Sequence, residues 1–170
     1  MSEATSREFD PRTFRDALGC FATGVTLVTT LDRAGRPIAL TVNSFSSVSL
    51  EPPLILFSLA RTASNFDDFL AAECFAVNVL SDEQQHLSAS YARSGQSLLE
   101  GRMHVLGRHG GPLIAGALAS FECRRHATYD GGDHLILLGE VRAITTREDG
   151  DALLYYRGRY GKAPNPHARA

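Results

Sequence analysis

Between Thr41 and Ser49 the chain reads Thr-Val-Asn-Ser-Phe-Ser-Ser-Val-Ser, a run of hydroxyl and amide side chains without a single charge. Such groups can hydrogen-bond to the local backbone or to a ligand. They are also short enough to let a flat molecule come close to the main chain. Directly after Glu51, Pro52 and Pro53 comes the apolar run Leu54 to Leu59. In a strand, alternate side chains face opposite ways, so Thr41, Asn43 and Phe45 share one face while Val42, Ser44 and Ser46 share the other. Taken singly, each serine reads as a turn residue bonding locally. Taken together, beside an apolar strand, the run reads as one wall of a ligand site.

A nucleophilic role for these serines has no support elsewhere in the chain. The G-x-S-x-G turn is absent, and no Ser, His and Asp set stands out. G-x-G-x-x-G, the phosphate-binding P-loop and H-E-x-x-H are absent as well. The six histidines are scattered without metal-ligand spacing. Cys20, Cys74 and Cys123 are odd in number, far apart and free of C-x-x-C spacing. A disulfide framework or zinc site is not expected; each cysteine, set among apolar neighbours, is expected to be a buried free thiol. Hydrolase and metalloenzyme chemistry are therefore disfavoured.

The elements that must position the serine run can be read from capping and periodicity. "DPRTFRDALG" is expected to be a helix, with Asp10 as cap, Pro11 in the first turn and Gly19 at the end. Phe14 and Leu18, one turn apart, should face the core. "GVTLVTTL" and "IALTVNS", joined by "DRAGRP", read as a hairpin. "LILFSL" is a core strand, and Pro52 and Pro53 turn the chain into it. "SNFDDFLAA" reads as a helix with a capping box from Ser64 to Asp67. "CFAVNVL" is a strand, and "SDEQQHLSASYAR" a helix with Ser81 as cap and Gln84 reaching back. The Gly-rich stretch from residue 94 to 112 is expected to be a long loop. "LASFECRRHATY" and "HLILLGEVRAITT" form a hairpin about "DGGD", and "ALLYY" is a last short strand. About six strands and three helices, with hairpin-like turns, argue for an antiparallel barrel with helices packed outside and against a doubly wound parallel sheet.

The 170 residues fit one domain, residues 1–170, with a core from about 10 to 161 and flexible flanks at 1–9 and 162–170. Hydrophobic residues at 44% and charged residues at 21% are those of a globular protein. No apolar run approaches the roughly 20 residues of a membrane helix, and no secretory leader is expected. A net charge of −2 gives no reason to expect a nucleic-acid partner. The free thiols fit a reducing cytoplasm.

"GRPIALTVNSFSSVSLEPPLILFSL" looks like the signature of the flavin reductase family, small proteins with an antiparallel Greek-key split β-barrel that binds FMN or FAD. "FAVNVLSDEQQHLSASYA", "GGPLIAGALASFECR", "GDHLILLGEV" and "LLYYRGRY" are similar to the same family in the same order, so the likeness runs from about Phe14 to Tyr160. It implies that Thr41, Val42, Asn43 and Ser44 border the flavin, that Ser47, Val48 and Ser49 line its ring edge, and that Leu59 and Ala60 continue the pocket. Ser64 and Asn65 would hold the flavin phosphate, with Arg61 adding a cation; a helix N-terminus suits an anion there. The "GDH" element matches NADH-using members and implies that His134 contacts and positions the nicotinamide. A lone histidine at a strand start would otherwise read as an exposed turn residue. "RGRY" would add Arg157, Gly158 and Tyr160 to the nicotinamide side, the tyrosine ring either stacking on a base or packing against the fold. The chain departs from the pattern at "GRMHVLGRHGGP", with Met103 where an aromatic is usual, and at "ASNF", which lacks a second hydroxyl after Ser64.

The function so implied is NAD(P)H:flavin oxidoreduction, with NADH as the expected donor and NADPH as the other possibility. Reduced FMN or FAD would pass to a partner monooxygenase, and the protein would be a cytoplasmic homodimer without membrane or nucleic-acid partners. One rival is a flavoenzyme that keeps its flavin and acts on its own organic substrate. Another, of a different class, is a non-enzymatic flavin- or haem-binding barrel. Hydride transfer needs orientation more than acid–base groups, which agrees with the missing triad.

Overall fold

Asp10 opens the first helix, α1 (Pro11–Leu18), and its carboxylate accepts from the Arg12 and Thr13 amides at 2.8 and 3.0 Å. This computed structural model describes residues 8–93, 95–101 and 103–166. Phe14 and Leu18 do not face a core: they are 49% and 59% exposed, and α1 has no buried residue. The expectation is corrected: among the described residues this side of the helix stays largely open to solvent. Most of the flank expectation lies outside the described residues, although Lys162 and Ala163 belong to a strand.

The strands are β1 (Thr23–Gly24), β2 (Thr26–Leu31), β3 (Pro37–Val42), β4 (Ser46–Leu50), β5 (Pro53–Ala60), β6 (Cys74–Val79), β7 (His104–Leu106), β8 (Pro112–Ile114), β9 (Ala119–Gly131), β10 (His134–Thr146), β11 (Ala152–Tyr156) and β12 (Arg159–Ala163). Seven form one antiparallel sheet in the order β3-β2-β6-β9-β10-β5-β4; β1, β11 and β12 form a second, and β7 with β8 a third. The edge strands β3 and β4 are consecutive, linked only by Asn43, Ser44 and Phe45. Laid flat, six strand spacings of about 4.8 Å would separate those edges by roughly 29 Å. The link from Val42 to Ser46 spans about 14 Å at most. The sheet must therefore curve until its edges approach one another. Ser44 helps join them, since its hydroxyl accepts from the Ser58 amide at 2.9 Å.

The core divides between two faces. On β2, Val28 packs with Phe57, Phe69, Phe75, Leu137 and Cys123, while Leu27 packs with Leu80, Leu87, Tyr91 and Leu153. That alternation agrees with the period expected of "GVTLVTTL". The second cluster is covered by α3 (Gln85–Tyr91), entered through a 3₁₀ turn at Asp82–Gln84. As expected, Gln84 reaches back, accepting from the Ser81 amide at 3.1 Å.

Three expectations are corrected. The long loop contains β7 and β8, held from below rather than by their own periodicity. Asn78, fully buried, donates to Leu27 O and accepts from Ile114 N and Ser120 Oγ. Glu122, also buried, accepts from His109 N. A Cβ on Gly111 would lie 2.8 Å from Ala76 N, so only glycine allows this approach. Met103 fills the departure noted in the sequence by packing on the second cluster. Next, the serine run is itself a strand, β4, paired with β5 across a turn containing a cis Glu51–Pro52 bond. Last, α2 (Phe66–Ala71) is not capped by Ser64. Asn65 precedes it without a side-chain cap bond and donates instead to Ala39 O at 3.2 Å, and the Ser64 hydroxyl accepts from Gly95 N at 3.4 Å.

No helix among the described residues is long and apolar enough to cross a membrane.

Candidate functional site

The serine wall is held by backbone pairing with its neighbours. β4 pairs with β5 through Ser46–Leu56, Ser47–Ile55 and Ser49–Leu54, so Val48 is the extra residue of a bulge. Bulges re-aim side chains and recur beside functional sites. Ser46, Ser47 and Val48 are exposed on this edge and Ser49 is half-buried. The polar groups before the strand are largely engaged within the chain. Thr41 Oγ1 donates to Ser88 O at 2.8 Å, Ser44 bonds Ser58, and the Val42 side chain is buried. Asn43 remains exposed.

At the far end of β5 the fold brings together residues that the sequence keeps apart. Leu59 is fully buried, so its side chain belongs to the core and only its backbone can border a ligand. Ala60 pairs with His134 across the β5–β10 ladder. Arg61 is clamped over the intervening turn: its amide bonds Asp133 O at 3.0 Å, its Nε bonds Gly132 O at 2.8 Å, and a terminal nitrogen lies 3.3 Å from Asp130. The Gly132 amide, with the Arg61 guanidinium, holds the Asp130 carboxyl below its usual range. His134 Nδ1 lies 2.7 Å from Asp133 Oδ1, which fixes the ring and leaves Nε2 as the other ring nitrogen for a ligand. Ser64 and Asn65 follow Arg61 closely in the chain, but their side chains bond Gly95 N and Ala39 O, and the first turn of α2 carries Asp67 and Asp68. Those carboxylates oppose an anion at that helix end.

A second group surrounds a cleft of about 780 Å³, lined by Asn43, Tyr155, Arg157 and Gly158 together with the C-terminal end of α1. This is within the size of ordinary cofactor sites. Arg157 and Gly158 are the two turn residues between β11 and β12, both at positive φ (46° and 77°), the conformation of a tight hairpin turn. The Arg157 amide bonds Gly19 O at 2.9 Å. Its guanidinium donates to Cys20 Sγ at 3.3 Å and lies 5.6 Å from the centre of the Tyr156 ring. Tyr160 packs edge-on against Tyr155, and its hydroxyl lies 2.8 Å from Ser88 Oγ. Of the two readings left open for Tyr160, the packed one describes its place here.

Arg15 and Cys20 also line the cleft, and sequence reasoning singled out neither as a site residue. The expected burial of all three thiols is corrected, because Cys20 is exposed and Cys74 half-buried. Cys123 is the buried one. Burial first, then the nearby Glu122 and Cys74, push its thiol up to about 12, so it stays protonated and inert at neutral pH. No trio of His, Cys, Asp or Glu among the described residues is placed to hold a metal.

The donor set fits a flavin and a nicotinamide nucleotide. A bulged hydroxyl-bearing edge, an imidazole held by Asp133 and a cleft whose lining includes Arg15 and Arg157 can hold flat rings and anions. Nothing in the set requires a side-chain nucleophile.

Residues 18–164 match the family model described as "Flavin reductase like domain". The chain is 48% identical over 151 residues to "FMN reductase (NADH) SmoA" of Agrobacterium fabrum, covering 89% of this chain and 85% of that protein. It is 43% identical over 149 residues to the reductase component of a flavin-dependent trigonelline monooxygenase of Acinetobacter baylyi, covering 88% of this chain and 48% of that protein. The chain spans about half the length of that relative and of a Rhizobium meliloti relative. Among solved structures it resembles Streptomyces globisporus SgcE6, an NADH:FAD oxidoreductase in complex with NAD and FAD fragments. There the TM-score is 0.85, identity is 38%, and the match covers 96% of this chain and 100% of that one.

Proposed function

The chain belongs to the flavin reductase-like family, and on that premise we propose that it is an NAD(P)H-dependent flavin reductase supplying reduced flavin to a partner monooxygenase. The observation that carries this reading is the pairing of Ala60 with His134. A residue matched to the flavin pocket and one matched to the nicotinamide meet in one ladder, beside the clamped Arg61.

When bound, the reduced nicotinamide supplies a hydride and the flavin accepts it. The protein's part is orientation. Ser47, Val48 and Ser49 border the flavin ring from the bulged edge, with the backbone at Thr41, Val42, Asn43, Ser44, Leu59 and Ala60 continuing the wall. The resemblance assigns Ser64 and Asn65 to the flavin's phosphate end; with Asp67 and Asp68 in the first turn of α2 opposing an anion, the positive charge there would come from Arg61. His134, steadied by Asp133, positions the nicotinamide. Arg157 and Gly158 serve its nucleotide end, and Tyr160 supports that end by packing. In this reading the curved sheet is the family's Greek-key split barrel. The protein works in the cytoplasm, where reduced nicotinamide nucleotides are supplied.

The chain also pairs with itself in this reading. Leu50 is 90% exposed and Phe21 76%, and α1 leaves Phe14 and Leu18 uncovered. Apolar side chains of this size left in water favour burial against a second copy. Sedimentation velocity at micromolar concentration is expected to return a dimer's mass; a monomer at all concentrations overturns this part.

The test of the reading is loss of reduced-nicotinamide absorbance when purified protein meets NADH with excess FMN or FAD. Many NADH oxidised per protein molecule is the expected result. One stoichiometric reduction would indicate a retained-flavin enzyme, and none with either nucleotide would leave a binding module.

A further inference from the structure

We propose that Arg61 is a positioning residue for hydride transfer, whose backbone and guanidinium strap the Gly132–Asp133 turn to the end of β5 and so hold His134 in place for the nicotinamide. The inference rests on the reductase reading above, which gives His134 its role. It adds to Arg61 a task separate from the charge that residue would lend the flavin phosphate.

The turn has little of its own to hold it. Only Gly132 and Asp133 stand between Gly131 and His134, which pair across the β9–β10 ladder. Gly132 takes φ 80°, the positive value that a type II′ hairpin turn requires at its first central position. Positions 128–133 are all exposed. A Cβ built on Gly132 would meet nothing within 4 Å, so packing does not brace the turn on that side. Two adjacent glycines also have the most backbone freedom to lose. A ring that must orient a cofactor therefore follows directly after a turn that its own residues hold weakly.

Arg61 supplies the bracing. It follows Ala60, the last residue of β5 and the ladder partner of His134. Its amide donates to Asp133 O at 3.0 Å and its Nε to Gly132 O at 2.8 Å. A terminal nitrogen donates to Asp130 Oδ1 at 3.3 Å, and the same oxygen accepts from Gly132 N at 2.8 Å. One arginine thus ties β9, through Asp130, to both residues of the turn. A planar fork of donors reaches a carbonyl and a carboxylate at once, whereas a lysine presents a single point of charge. Asp133, its backbone held in this way, carries the His134 ring on its carboxylate at 2.7 Å. The path from Arg61 to the ring is continuous.

The Arg61 and Asp130 side chains are 43% and 79% exposed, and an ion pair so placed adds little to global stability. Its effect belongs to the turn rather than to the fold. Thermal melts of Arg61→Ala and Arg61→Lys should stay within about two degrees of the wild type.

The test measures the KM for NADH with FMN saturating, so that flavin affinity is silent. Arg61→Ala is expected to raise it roughly fivefold. Arg61→Lys keeps the charge but loses the fork, and should recover only part of the loss; complete recovery would show that charge alone suffices and overturn the strap. In the His134→Ala background, Arg61→Ala should add less than about twofold, because an effect transmitted through the ring vanishes with the ring. Full additivity with His134→Ala overturns the inference. So does an unchanged KM for NADH with a raised KM for FMN, which would leave Arg61 as a phosphate cation only. Each of these results leaves the reductase reading intact. If the protein oxidises no NADH, the reductase reading fails. The strap is then judged by amide order parameters at Gly131, Gly132 and Asp133, expected in Arg61→Ala to fall from the rigid value of about 0.85 to below about 0.6. Order parameters unchanged from the wild type overturn it with or without activity.

Discussion

Replacing Asn78 with leucine is expected to destabilise the protein by about 3–5 kcal/mol and to lower its Tm by on the order of 10 °C. The amide sits with no solvent exposure where four strands meet. Its nitrogen reaches Leu27 O at 3.0 Å and Thr29 Oγ1 at 3.1 Å. Its oxygen receives Ile114 N at 3.0 Å and Ser120 Oγ at 2.7 Å. Leucine has similar volume but can satisfy none of these partners, and each buried group left alone costs roughly 1–3 kcal/mol. Against a total stability of about 5–15 kcal/mol, that is a large share. The loss should appear first at β8, because Ile114 N loses its acceptor and Pro112 O also faces the Asn78 amide. Hydrogen exchange of the Ile114 amide, followed beside a thermal melt, checks both statements. A variant melting within a degree or two of the wild type would show that the network is not a keystone.

The second large effect concerns activity. His134→Ala is expected to raise the KM for NADH about tenfold or more while leaving the KM for FMN within twofold. The ring is anchored by Asp133 at 2.7 Å and stands across the ladder from Ala60. A histidine so placed can orient a ring without moving a proton during hydride transfer. Its removal should therefore weaken nucleotide binding more than flavin binding. His134→Gln keeps hydrogen-bonding capacity at a similar length and should fall between the two. Steady-state kinetics with each substrate varied separately provide the check. Equal increases in both KM values would end the positioning role and assign His134 to general support of the pocket.

The local chemistry of the chain was open to reading wherever it is self-contained. Asp10 with Pro11 starts a helix through its own side chain, and Gln84 reaches back to Ser81 within one turn. The alternation in "GVTLVTTL" places Leu27 and Val28 on opposite cores because neighbouring side chains in any strand must point opposite ways. The misreadings share one cause. β7 and β8 are three residues each, too short to show a period, and distant Asn78 and Glu122 hold them. β4 is too polar to read as a strand, yet β5 supplies its ladder. Ser64 has the spacing of a cap, but its hydroxyl meets Gly95 from another segment. The apolar side of α1 has the right period, yet no residue of the helix is buried among the described residues.

By itself, the sequence determined the antiparallel β character, most strands and helix starts, and the family, because periodicity, caps and motif order are properties of neighbours along a chain. Only the tertiary structure decided how the proposed site is shared out. It withdrew Thr41, Val42 and Leu59 side chains into internal contacts and presented Ser47 and Val48 on a bulged edge. It brought His134 opposite Ala60, and it carried Arg15 to the same cleft as Asn43 and Arg157. Those relations depend on ladder register and on a curved sheet that closes distances of many residues. Residue types and spacing do not encode them until the backbone hydrogen bonds are made.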